Sequence, residues 1–131
     1  MLVETSLREF PMNRVAEMAR LAEEIGFDGI TFSEVRHDPF VVAAVAASAT
    51  GRVRLATSVA IAFPRSPMVV AQATHNLQEL SNGRFSVGLG TQVKGHITRR
   101  FSTVWDSPGP RLREYVLSLR RSGTAGSTAR R

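Results

Sequence analysis

Cysteine is absent from these 131 residues, which excludes a disulfide framework, a thiol nucleophile and any thiolate metal site. Long apolar runs are missing too. The longest, Phe40 to Ala47, is too short to span a bilayer. The opening MLVETSLREF has neither a basic nor an apolar leader region, so no signal peptide is expected and a cytoplasmic location is the default. No HExxH, no clustered carboxylates, no GxSxG and no Walker loop occur, which sets aside the commonest zinc, serine-hydrolase and P-loop chemistries. Aromatic residues are few: one Trp, one Tyr and seven Phe.

The residues present describe an ordinary globular chain, 43% hydrophobic and 21% charged, long enough for one domain with a core. The net charge of +6 is unevenly placed. Residues 1–92 hold 8 Arg against 9 acids, whereas residues 93–131 hold 9 Arg or Lys against 2 acids. A basic end can bind nucleic acid, but only Phe101, Trp105 and Tyr115 accompany these charges, and no nucleic-acid motif appears. A basic nucleic-acid-binding module is therefore a third alternative, behind two others given below.

Strand and helix patterns alternate along the chain. Leu2 to Leu7 is a short candidate strand. Met12 to Ile25 is an amphipathic helix with Val15, Ala19, Ala22 and Ile25 on one stripe, Asn13 as a cap and Gly26 as its stop. Phe27 to Ser33 follows as a strand. Asp38-Pro39 offers an N-cap and a first-turn proline for a helix, Phe40 to Thr50, that is apolar nearly all round and expects to be covered.

The most informative stretch runs from Arg54 to Gln92. Leu55 to Ala62 reads as a buried strand, and Ser66-Pro67 caps a helix carrying Val69, Val70, Ala73, Leu77 and Leu80, which Asn82-Gly83 ends. Arg84 to Gly90 is a second strand whose glycines mark a place of close approach. After a long loop, Pro110 opens a helix with Leu112, Val116 and Leu119 on one face. Strand starts near residues 27, 52 and 84 are spaced like the units of a (β/α)8 barrel, which average roughly 31 residues. Alternation alone equally permits a small doubly wound sheet. Residues 120–131, RRSGTAGSTARR, lack large apolar side chains and are predicted to be disordered.

TSVAIAFPRSPMVVAQ followed by SNGRFSVGLGTQVKGHITRRFS resembles the luciferase-like flavin and deazaflavin oxidoreductases, in particular the branch using coenzyme F-420. The resemblance covers about Met1 to Leu119. It implies the α/β fold of a (β/α)8 TIM barrel, with the cofactor at the carboxyl ends of the strands and only the first four βα units present. It also implies an oxidoreductase or monooxygenase acting on a small molecule, with coenzyme F-420 as cofactor and FMN as the alternative. Because the family continues where the likeness stops, a truncated or frame-shifted product, or a fragment, is expected. The second alternative is accordingly a catalytically silent piece that pairs with another chain. Open barrel edges predict self-association, and the unpaired inner face predicts exposed apolar surface.

Site residues follow from the same likeness. Gly88, Gly90 and Thr91 fall at the cofactor-holding end of the fourth strand, although Gln92 and Val93 replace a glycine and an acid found in some relatives. Ser58, Val59 and Ala60 fall at a bulge in the third strand, where such relatives carry a non-prolyl cis peptide at the Ser58-Val59 position. Glu34 and His37, in SEVRHDPF, match in type the residues near the reactive ring. An imidazole there can shuttle a proton and a carboxylate can orient it. The plainer reading makes Gly88 a packing glycine, Asp38 a helix cap and His37 a solvated loop residue. Lys94, His96, Arg99 and Arg100 either meet a cofactor phosphate or form a solvated loop. His75 and His96 have no partner at metal-ligand spacing, so no metal site is expected.

Overall fold

A computed structural model describes residues 1–91, 96–101, 103 and 105–129. The chain forms two compact units, Met1–Ala60 with Asn76–Leu89, and Ile61–His75 with Gly90–Arg131.

The first unit contains a four-stranded parallel sheet: β1 (Glu4–Leu7), β2 (Gly29–Phe32), β3 (Arg54–Thr57) and β5 (Phe85–Ser86), in that spatial order. Each strand lies beside its predecessor, with no reversal of order. Crossovers of the usual right hand then place successive helices on one face, as in a barrel and unlike a doubly wound sheet. This is the first part of a (β/α)8 barrel, four βα units of it. Ile30, Leu55 and Phe85 share one register row and are buried, as are Phe32 and Thr57 two residues on. The alternate row, Ser6, Thr31, Ala56 and Ser86, is exposed or half-buried. That face is lined by small and polar side chains, where apolar surface was expected.

Helix α1 (Val15–Ile25) packs on α2 (Pro39–Ala49). Ala19, Ala43 and Ala46 are fully buried, and their small side chains allow the close approach. Two details of α1 differ from expectation. A 3-10 turn, Met12–Arg14, precedes it with no side-chain cap, so Asn13 does not serve as one. Ile25 is 65% exposed because the chain turns away at Gly26, whose φ of +107° suits glycine. Asp38 does cap α2, accepting the Phe40 amide at 2.8 Å. Among the α2 side chains Phe40, Val42 and Ala47 are buried, while Val41 is exposed.

Both long strands of the Arg54–Gln92 stretch are broken. The third continues after Ser58-Val59 as β4 (Ala60–Ile61), and the fourth continues after Gly88 as β6 (Leu89–Gly90). Between them, α3 (Pro67–Leu80) begins at Ser66, whose Oγ accepts from the Met68 and Val69 amides at 3.2 and 3.5 Å. Val70 and Leu77 are its buried residues, whereas Val69 and Leu80 are exposed. In the second unit a π-helical turn, His96–Arg100, precedes α4 (Pro108–Ala129). Helix α4 starts two residues before the expected Pro110 and is helical beyond Leu119, through most of the stretch whose composition predicts disorder. Within that continuation the Ser122 hydroxyl donates to the Ser118 carbonyl at 3.0 Å. Among the described residues no helix is long and apolar enough to cross a membrane.

Candidate functional site at the carboxyl ends of the strands

Leu7, Phe32 and Thr57 are register partners at the ends of β1, β2 and β3. The chain beyond them forms one end of the sheet, the location at which parallel α/β proteins place their ligand groups. Ser58 and Ser33 sit there together: the Ser33 hydroxyl donates to the Ser58 carbonyl at 3.1 Å, and the Ser58 amide donates to the Phe32 carbonyl at 2.8 Å. The Ser58-Val59 peptide is cis. Ser58 is exposed, Val59 is 38% exposed and Ala60 is fully buried. The strand end thus offers an apolar side chain flanked by two hydroxyls.

Gly88 belongs to the same cluster. The Thr57 hydroxyl donates to the Gly88 carbonyl and accepts from the Gly88 amide, both at 2.8 Å, and the Ala60 amide donates to the same carbonyl at 2.8 Å. A Cβ at Gly88 would lie 2.2 Å from the Thr57 carbonyl oxygen. The close approach that calls for glycine is therefore to the neighbouring strand's backbone. Thr57, buried and bonded twice, is the residue that sequence reasoning passed over; its place at the start of the matched block TSVAIAF was the available signal. In the second unit the Ala62 amide donates to the Gly90 carbonyl at 3.0 Å, and Thr91 follows β6 half-buried.

His37 lies in the β2–α2 loop, half-buried, with Nε2 3.0 Å from the Phe10 carbonyl. A carbonyl can only accept, so Nε2 carries a hydrogen, and in neutral imidazole Nδ1 is the basic nitrogen. Phe10, from the β1–α1 loop, orients the ring in the place expected of Glu34. Glu34 is buried at 7% exposure. His37, with Ser33, Glu9 and Phe10, lines a small cavity of about 20 Å³, room for a water molecule. His75, on α3, and Arg99 and Arg100, on the π-helical turn, are exposed; the Arg100 guanidinium lies 5.1 Å from the Phe101 ring centre. Lys94, Gln92 and Val93 lie outside the described residues. No group of His, Asp and Glu among the described residues could hold a metal ion.

A parallel sheet in sequential order, with hydroxyls, an exposed valine and a tethered histidine at its carboxyl end, is the opening part of a (β/α)8 barrel with polar groups gathered at one end. The model of the luciferase-like monooxygenases matches residues 2–128, and the chain belongs to that family. An uncharacterised protein of Mycobacterium tuberculosis is 47% identical over 107 residues, which is 82% of this chain and 32% of the relative. A second protein of the same organism, provisionally described as a coenzyme F-420-dependent oxidoreductase, is 37% identical over 81% of this chain and 31% of its own. Among solved structures, the monooxygenase RslO1 of Streptomyces bottropensis superposes with a TM-score of 0.76 at 29% identity, covering 84% of this chain and 36% of that one. The chain spans about a third of the length of the relatives it matches.

Proposed function

We propose that this chain supplies the amino-terminal part of a deazaflavin-dependent oxidoreductase site, with coenzyme F-420 as the leading cofactor, FMN as the alternative, and a small organic molecule as substrate. The observation that carries this reading is the convergence of Ser33, Ser58, Val59 and the Thr57–Gly88 pair at one end of the sheet. When bound, the cofactor supplies hydride transfer; the protein supplies position, dryness and proton handling. Val59 offers an apolar surface to a flat ring, and the Ser33 and Ser58 hydroxyls offer hydrogen bonds along its edge. His37 holds its Nε2 hydrogen on Phe10 and keeps Nδ1 for proton exchange. Buried Glu34 adds acceptor oxygens nearby in sequence. Later barrel strands, outside this chain's likeness to its relatives, complete the contacts in this reading. A second copy joined through open barrel edges is the partner it implies.

Titrating coenzyme F-420 and FMN separately into the protein, with cofactor fluorescence as readout, tests the proposal. Saturable quenching by one of them that Val59→Asp abolishes is expected. Equal, non-saturating signals from both would favour the silent fragment instead. A steep salt dependence of DNA binding would favour the nucleic-acid module.

A further inference from the structure

Helix α4 carries a shallow groove of about 470 Å³ along one side, lined by Gly109, Leu112, Arg113, Val116, Leu117 and Arg120. These positions recur every three or four residues, so they form one stripe running along the helix. Arg113, Leu117 and Arg120 are exposed, and Leu112 and Val116 are half-buried. The stripe is apolar but for its two guanidiniums, which are seven residues apart. Glu114, the only acid of α4, is not among the lining residues.

Helix α1 presents the complement. Its buried stripe is Val15, Ala19 and Ala22. Away from that stripe Leu21 and Ile25 are exposed, 44% and 65%, beside exposed Glu17 and Glu24. These two carboxylates are also seven residues apart. Glu17 reaches Arg14 at 3.4 Å, but both side chains are more than half exposed, and such pairs contribute little. Glu24 and Arg113 have no ion pair among the described residues. By helical spacing Arg20 falls beyond the glutamates, away from Leu21 and Ile25.

Seven residues are two helical turns, about 10.5 Å along the axis. The charges of the two stripes therefore repeat at the same interval, and both pairs can meet at once whichever way the helices run. Val116 and Leu117 lie between the arginines, and Leu21 lies between the glutamates. Pairing either face with its own copy would set like charges opposite each other, which costs association. Pairing one face with the other opposes unlike charges around an apolar middle.

We propose that α4 of one copy docks on α1 of a second copy of this chain. Arg113 and Arg120 face the partner's Glu17 and Glu24, and Val116 and Leu117 cover the partner's Leu21 and Ile25. The contact joins two different faces, and each copy has one of each to offer. It is independent of the cofactor reading and of strand-edge pairing, since it uses only helix side chains.

Sedimentation velocity of the whole protein over a concentration series reads this contact. Wild type should self-associate, and more weakly as salt rises. Glu17→Lys with Glu24→Lys, or Arg113→Glu with Arg120→Glu, should each raise the midpoint concentration about tenfold, because like charges then face each other. An equimolar mixture of the two reversed proteins should associate as wild type does, since contacts between unlike copies pair opposite charges again. Circular dichroism melting of each dilute variant checks that its helices are kept, and either charge reversal decides by itself. A wild type that stays monomeric, folded reversed proteins that associate undiminished, or a mixture no stronger than its components would each overturn the proposal.

Discussion

Gly88 shows how one missing side chain shapes the strand end. Any Cβ there would press on the Thr57 carbonyl at 2.2 Å, and a backbone atom cannot swing aside as a side chain can. Gly88→Ala is expected to lose about 1–3 kcal/mol of stability, as overpacked sites do, and to shift the urea midpoint accordingly. Thr57→Val keeps that carbonyl but removes the hydroxyl that bonds Gly88, leaving the Gly88 amide without its 2.8 Å acceptor. A loss of about 1–3 kcal/mol is expected, with Thr57→Ser close to wild type because the hydroxyl is retained. His37 depends in the same way on a distant partner, the Phe10 carbonyl. In a chain that carries the later barrel strands, His37→Phe is expected to abolish proton-coupled turnover while leaving cofactor quenching intact.

Two side chains tie elements together at the opposite ends of the strands. Glu23, in the last turn of α1, accepts the Gly51, Arg52 and Val53 amides at 2.7–3.1 Å, just ahead of β3. Burial alone would raise its pKa; the three amides, Val53 foremost, and the Arg52 charge outweigh it and hold the carboxyl below its ordinary value. A lowered folded pKa means that the stability it contributes is complete above the ordinary glutamate pKa and is lost as pH falls through the folded value. Glu23→Gln should therefore flatten the acid side of the stability profile, read as melting temperature against pH. Arg84 gathers the carbonyls at the end of α2 and the loop beyond: Ala47, Thr50 and Val53 at 2.8–3.3 Å, with the Ser81 carbonyl at 2.8 Å. A lysine has neither the fork nor the number of donors. Arg84→Lys should lose about 1–3 kcal/mol in urea denaturation although the charge is unchanged.

At the scale of the whole molecule, β1 pairs only with β2 and forms one edge of the parallel sheet among the described residues. Such an edge is a template for another strand. The expected outcome is concentration-dependent self-association in light scattering, which Ser6→Pro on the β1 edge should weaken; a monomer at all concentrations would refute it. Much of this architecture was legible in the chain. Asp38 and Ser66 mark helix starts, Gly26 marks an end, and the period of Val15, Ala19 and Ala22 marks a buried stripe. These signals work because caps and helical spacing involve residues within about four positions. The resemblance of the Arg54–Gln92 stretch supplied the barrel that alternation left open. Tertiary structure decided the rest: the sequential strand order, the breaks after Ser58-Val59 and at Gly88, and the polar inner row from Ser6 to Ser86. The Thr57–Gly88 and His37–Phe10 bonds join residues 31 and 27 apart in the chain. No local pattern encodes such pairs, because they exist only once parallel strands have set their register and brought distant loops to one edge.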